Sequence, residues 1–162
     1  MASMEVTLRE ARPEDAEPVR RIVAEAYGLY VARIGRQPAP MTADYAALIA
    51  AGAVTVLEAD GEPAGVLVLA PRDDHLLLEN VAVAPARQGR GLGRRLVERA
   101  EARARELGLP EVRLYTNRAM TENLALYPAL GYRETGRNEE DGFARVHFAK
   151  RLDRNPGPIP GR

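Results

Sequence analysis

The stretch from Leu76 to Leu107, LLLENVAVAPARQGRGLGRRLVERAEARAREL, constrains the fold of this chain more than any other. Leu76 to Val83 is an apolar run of strand length, broken by Glu79 and Asn80. Pro85 closes it, because proline has no N–H to give to a sheet ladder. Gln88-Gly89-Arg90-Gly91-Leu92-Gly93 follows. Beyond it Leu92, Leu96, Val97, Ala100, Ala104 and Leu107 recur at helical spacing, with Arg and Glu on the other face. The order is therefore buried strand, glycine-rich turn, amphipathic helix.

The first N–H groups of a helix have no internal partner, and the helix dipole places partial positive charge beside them. Alternate glycines let a bulky anion reach the backbone without meeting a Cβ. Arg87, Arg90, Arg94 and Arg95 add charge around the same turn, so the stretch suits a phosphate or pyrophosphate. A plain glycine turn before a solvated basic helix is the competing reading. A Walker loop is excluded, since Arg94 and Arg95 stand where Lys and Ser/Thr belong. Glycines at 89, 91 and 93 also fail the G-x-G-x-x-G spacing of a dinucleotide site.

With 162 residues and 46% apolar content, the chain suits one globular domain. Its 23 basic and 23 acidic residues cancel, which gives no bulk attraction to nucleic acid or to an anionic membrane. No apolar run approaches a bilayer span, and MASMEVTLRE has neither a signal core nor a basic presequence, so the expected compartment is cytoplasmic. The absence of cysteine excludes disulfides, thiolate metal sites and a cysteine nucleophile. No metal site is expected.

Around the central unit the pattern predicts strands over Glu5–Glu10, Ala53–Ala59 and Ala64–Ala70, the last two joined through Asp60-Gly61, a favoured hairpin pair. A helix starts near Pro13, with Val19, Ile22, Val23 and Ala26 as its buried stripe. Tyr27 to Met41 reads as an ordered loop because of Pro38 and Pro40, and a short helix follows from about Ala43 to Ala51. Glu111–Thr116 is a further strand, parallel to Leu76–Val83 through the helical crossover. A helix over Thr121–Leu130 should end or kink beside Tyr127 because of Pro128. Strands over Tyr132–Arg137 and Gly142–Lys150 complete an antiparallel edge, and residues 153–162 read as a mobile tail after a domain spanning 1–152. The sum is an α/β (α+β-type) sandwich, a mixed sheet flanked by helices.

Gln88-x-x-Gly91-x-Gly93, after a strand ending Val81-Ala82-Val83-x-Pro85, resembles the acetyl-CoA-binding motif of the GNAT superfamily of N-acetyltransferases. Asn123-Leu124-Ala125-Leu126-Tyr127-Pro128-Ala129-Leu130-Gly131-Tyr132 resembles that family's second signature, in the right order and spacing. The resemblance implies a mostly antiparallel sheet of about seven strands with about four helices, splayed between strands four and five. It implies acetyl-CoA as co-substrate and direct acetyl transfer to a primary amine in a ternary complex. The backbone of Gln88, Gly89, Arg90, Gly91, Leu92, Gly93 and Arg94 would bind the pyrophosphate. The main chain of Val81, Ala82 and Val83 would pair with the pantetheine arm, and Asn123 would hydrogen-bond it. Tyr127 would protonate the departing thiolate. Many members carry the Asn seven residues before the Tyr, where this chain has Met120; Asn123 stands four before.

Amine acceptors are ammonium ions at neutral pH, so a base is needed. Glu79 is the first candidate, since strict strand alternation puts it on one face with Val81 and Val83. A structural pairing of Glu79 with an arginine is the alternative. His147 is the second candidate base and His75 a weaker one, while a water chain would need neither. Tyr27, Tyr30 and Arg33, with the Arg36 to Met41 loop, fall where the resemblance places the acceptor groove, and their arginines suit a carboxylate-bearing amine or small metabolite. A protein N-terminus or lysine is the other acceptor class. A non-catalytic acyl-CoA-binding module on the same fold is a further reading, and a phosphate-binding domain unrelated to CoA is a third. Dimers are common in the family, and a homodimer is one arrangement open to this chain.

Overall fold

The computed structural model describes residues 4–152, so the expected tail over 153–162 lies outside the described residues. Seven strands form one sheet: β1 Val6–Glu10, β2 Val54–Ala59, β3 Glu62–Pro71, β4 Leu76–Val83, β5 Glu111–Asn117, β6 Arg133–Glu140 and β7 Phe143–Arg151. The helices are α1 Ala16–Ile34, α2 Tyr45–Ala50, α3 Leu92–Glu106 and α4 Thr121–Ala129. The strand order is β1-β2-β3-β4-β5-β7-β6, antiparallel except for β4 beside β5. That parallel pair follows from the α3 crossover, which returns the chain to the sheet in the same direction.

Two apolar layers hold the helices to the sheet. On one face Leu92, Leu96, Val97, Ala100 and Ala104 of α3 pack on Leu57, Leu67, Leu76 and Leu78, joined by Tyr127, Tyr132 and Phe148. On the other, Val19, Ile22, Val23 and Tyr27 of α1 and Tyr45 and Ile49 of α2 pack on Val54, Val56, Val66, Val68 and Ala82. Glu101, buried within the stripe of α3, accepts from Tyr132 Oη and Lys150 Nζ at 3.0 Å each. Lys150 also donates to the Leu130 carbonyl at 3.0 Å, so this buried charge is both paired and hydrogen-bonded.

Three sequence expectations are corrected. The prolines at 38 and 40 do not stop α1 at Tyr27, and the helix runs on to Ile34. Tyr27, Tyr30 and Ile34 prolong the stripe of Val19 and Val23 at helical spacing, and Gly35, at φ +88°, ends the helix before the first proline matters. Secondly, α4 runs two residues past Tyr127 and ends at Ala129. Pro128 falls in its last turn, where only the bond to the Leu124 carbonyl is lost. Thirdly, β6 reaches Glu140 rather than Arg137, and all eight of its residues are exposed. Its polar sequence carries no alternation, because an edge strand can be held by the ladder to β7 alone. The β6–β7 turn is Asp141-Gly142 with φ +52° and +80°, the same pair that turns β2 into β3 at Asp60-Gly61 with +52° and +83°.

Candidate functional site: the gap between β4 and β5

β4 and β5 pair only at Leu76 with Val112 and Leu77 with Arg113. Beyond that point the strands separate, and the gap between them opens on both sides into cavities. Ladder parity says which β4 groups face the gap. The Ala84 N–H donates to the Ala64 carbonyl at 2.8 Å, on the β3 side. Two-residue alternation then turns the peptide groups of Val81 and Val83 the other way, into the gap. Their carbonyls already have partners: Gln88 Nε2 donates to Val83 at 3.0 Å, and Tyr27 Oη shares its one proton between Asn80 Oδ1 at 2.6 Å and the Val81 carbonyl at 3.2 Å. What β4 offers a ligand is therefore the two N–H donors.

At one end of the gap lies the glycine turn. Gly89 and Gly91 have φ of +79° and +77°, the left-handed region that glycine enters without a Cβ penalty. A Cβ built on either would meet nothing within 4 Å, so the space above the turn is open to a ligand. Gly91 caps α3 without a side-chain hydrogen bond, and the Arg95 N–H makes its bond to the Gly91 carbonyl at 3.2 Å. The N–H groups of Leu92, Gly93 and Arg94 precede that bond and point out of the helix end. A cavity of about 490 Å³ joins them to Val81, Ala82, Val83, Asn123 and Tyr127. This is an anion cradle continuous with the N–H donors of β4. Arg90 is exposed at its rim. Arg87 is drawn away instead, lying 3.2 Å from Asp60 and 3.8 Å from Glu62.

The other end holds a cavity of about 210 Å³, which shares Tyr27, Val81, Asn123 and Tyr127 with the first. Tyr127 thus stands at the junction. Its ring lies 5.8 Å from those of Tyr132 and Phe148, and burial pushes its hydroxyl up to a pKa of about 12. Among the described residues no hydrogen-bond partner of that hydroxyl is found. Asn123 Nδ2 donates to Thr116 Oγ1 at 3.1 Å, and no partner of its amide oxygen is found among the described residues. Met120, at the position where Asn was expected by resemblance, is buried among apolar neighbours.

Glu79 lines the smaller cavity, but not by the alternation expected of it. The β3–β4 register slips between Val68 and Leu69, which pair with Asn80 and Leu78, so Glu79 is an extra, bulged residue. Leu78 then packs on the α3 side together with Val81 and Val83, although it is three and five positions from them. Glu79 joins Asn80, Val81 and Tyr45 on the wall of the smaller cavity and is parted from Val83, which lines only the larger one. Arg72 lies 3.9 Å from its carboxylate, too far for a hydrogen bond. The pairing alternative is thus present only in a loose form.

Of the remaining sequence candidates, Tyr27 is buried and donates 2.6 Å to Asn80 Oδ1, with its pKa pushed well above the usual tyrosine value by burial. It supports β4 from beneath. Tyr30 lines the larger cavity on the glycine-turn side. Arg33 sits 2.8 Å from Glu122 and ties α1 to α4, outside both cavities. His147 hydrogen-bonds Asn138 Oδ1 at 2.8 Å, and His75 pairs with Asp74 at 2.7 Å; neither lines either cavity. Sequence reasoning missed Tyr45, Asn80, Phe143 and Arg145, all lining the smaller cavity. Asn80 was legible as a polar residue in a buried strand. It joins α1 to α2 by accepting from Tyr27 and donating to Tyr45 Oη at 3.0 Å, while Tyr45 donates to the Pro40 carbonyl.

Among the described residues no helix is long and apolar enough to cross a membrane, and no group of three His, Cys, Asp or Glu side chains is placed to hold a metal ion. The PaiA N-acetyltransferase of Thermoplasma acidophilum, solved in complex with coenzyme A, superimposes with a TM-score of 0.78 at 16% identity, over 91% of this chain and 99% of that one. The ribosomal-protein-S18-alanine N-acetyltransferase of Escherichia coli gives 0.71 at 20%, over 92% and 95%. YncA of Salmonella typhimurium, described as a putative acetyltransferase and solved with acetyl-CoA, gives 0.69 at 22%, over 96% and 99%. At such identities these likenesses establish the fold. No curated protein sequence matches this one. The sequence model of the acetyltransferase (GNAT) family matches residues 16–132, well over half of the length, and spans the splayed strands, the glycine turn and the tyrosine helix. The chain belongs to the GNAT family of acetyltransferases.

Proposed function

We propose that this protein transfers the acetyl group of acetyl-CoA to the primary amine of a small acceptor, with the cofactor arm in the β4–β5 gap and the acceptor in the smaller cavity. The observation that carries this reading is the meeting of the two cavities at Val81, Asn123 and Tyr127. The N–H groups of Leu92, Gly93 and Arg94, with the αL glycines before them, hold the pyrophosphate. The Val83 N–H and the Asn123 amide take the pantetheine, and the Val81 N–H faces the developing oxyanion. When bound, acetyl-CoA supplies a thioester whose C–S bond breaks as the amine nitrogen bonds to the acetyl carbon.

Proton movements fall to this chain's side chains and to solvent. An ammonium acceptor loses two protons on becoming an amide. Glu79 takes the first, which frees the nucleophile, and a water relays the second to solvent. Tyr127 gives its own proton to the thiolate and recovers one from solvent, and Glu79 returns its proton to solvent, so one proton is released per turnover. A tyrosine with a pKa of about 12 is a weak acid for a thiolate. The same burial raises the thiolate beside it, which narrows the mismatch.

A thermal-shift titration with acetyl-CoA, CoA and ATP tests the cofactor assignment. A ligand that binds only the folded state raises the melting temperature with its concentration. Both CoA species should do so and ATP should not. Thiol release that depends on an added amine then separates a transferase from a silent acyl-CoA-binding module. A melting shift without thiol release from any amine would leave the module.

A further inference from the structure

The smaller cavity carries more information about the acceptor than its location. Among the described residues its charged lining groups are two, Glu79 and Arg145, and they come from opposite sides of the gap, β4 and β7. The Arg145 guanidinium lies over the Tyr115 ring at 4.3 Å, and its side chain is only 12% exposed. Glu140 takes one of its N–H groups at 2.6 Å, and a guanidinium has five. The remaining fork is flat and held by an aromatic face, an arrangement suited to a carboxylate. Between the two charges the walls include Pro40, Leu48, Val68, Met120 and Phe143, which are apolar.

One side of the cavity is also bridged. Arg36, in the α1–α2 connection, donates to the Asp141 carbonyl and lies 3.7 Å above the Phe143 ring. This bridge ties that connection to the β6–β7 turn beside the cavity, where a polypeptide acceptor would need an open groove. At about 210 Å³ the space is also smaller than the ~300–1,000 Å³ of ordinary drug-sized ligand sites.

Resting on the transferase reading above, we propose that the acceptor is a small amino carboxylate with an apolar side chain, and that Arg145 is the specificity residue that binds its carboxylate. The ammonium faces Glu79 and the junction at Tyr127, the apolar side chain fills the walls, and the carboxylate lies on the Arg145 fork in exchange for part of its contact with Glu140.

The test compares leucine, methionine and phenylalanine with their carboxamides and with an alanine-led hexapeptide, by thiol release under saturating acetyl-CoA. Leucinamide and its analogues keep the amine and the side chain but lose the negative charge. At least one free amino acid should exceed its carboxamide in kcat/KM by about 10- to 100-fold, the value of a charge-assisted hydrogen bond. Arg145→Gln should collapse that ratio to within about 3-fold, chiefly through KM of the free acid, and Arg145→Lys should restore part of it. The melting shift with CoA verifies that each variant is folded. Equal use of acid and amide by the parent protein overturns the proposal. So does a parallel loss for both in Arg145→Gln, which would mark Arg145 as structural, and so does a preference for the hexapeptide. Absence of thiol release from all of them, with the acetyl-CoA melting shift intact, also overturns it and leaves cofactor binding standing. Absence of that shift instead removes the transferase reading beneath it.

Discussion

The two ends of the β4–β5 gap present different kinds of group. At the α3 end the donors are main-chain N–H groups from β4 and from the first turn of α3, all within one continuous segment of sequence. At the other end the groups are side chains brought together from α1, α2, β4, β5, α4 and β7 and from the connection after α1. Backbone donors look alike whatever the side chains are, so the first end suits a ligand that does not vary. A pocket of side chains can be changed one residue at a time, and it suits the partner that does vary. On the function proposed above, cofactor binding falls to local chain geometry and acceptor choice to tertiary packing.

The contrast can be broken most severely at Gly91. Gly91→Val puts a β-branched residue at φ +77° and fills the open space above the turn, so CoA binding should be lost outright. The strain alone costs about 1–2 kcal/mol. A CoA melting shift that survives in this variant would mean that the turn does not hold the pyrophosphate.

Tyr127→Phe comes next, because Tyr127 stands where the two cavities meet. Turnover should fall on the order of 10²-fold, with CoA affinity nearly unchanged, as expected for a lost general acid. The pKa of about 12 adds a condition. A raised tyrosine keeps its proton through the neutral range, so Tyr127 should give kcat no alkaline limb near pH ~10, where an unperturbed tyrosine titrates. A limb there that vanishes in Tyr127→Phe would contradict the raised value.

Asn80→Ala sharpens the comparison from inside the sheet. It leaves the buried Tyr27 and Tyr45 hydroxyls without their shared partner, at roughly 1–3 kcal/mol of folding stability by denaturant titration. The glycine turn makes no contact with this relay, so the CoA melting shift should persist while KM for the amine rises. Equal damage to cofactor and acceptor binding would show that the two ends are not separable. The smallest effect is expected of Arg36→Ala, which removes an exposed bridge at a cost below about 1 kcal/mol. KM for the acceptor should move and KM for acetyl-CoA should not.

How much of this was legible in the sequence follows the same division. The Asp60-Gly61 hairpin, the stripe of α3 and the glycine turn from Gln88 to Gly93 depend on residues close in the chain, and each was readable in order, while the left-handed φ of Gly89 and Gly91 came from the structure. The end of α1 was misread because the prolines at 38 and 40 outweighed a stripe that continued through Tyr30 to Ile34. Glu79 was named as candidate base from strict alternation, which the register shift at that residue interrupts, since a bulge is a property of two paired strands and has no mark in either one alone.

The sequence by itself therefore determined the central unit of strand, turn and helix, the order of the elements, and the family to which they belong. These rest on periodicity and on backbone conformations that particular residues permit or forbid. The splay between β4 and β5 was expected by resemblance; only the tertiary structure decided that it begins after two pairs, that Glu79 lines the cavity, and that Arg145 stands across from it. Those facts depend on contacts between residues far apart in the chain. Arg145 and Glu79 are 66 positions apart, and no local pattern in either strand specifies that they share a wall-to-wall space.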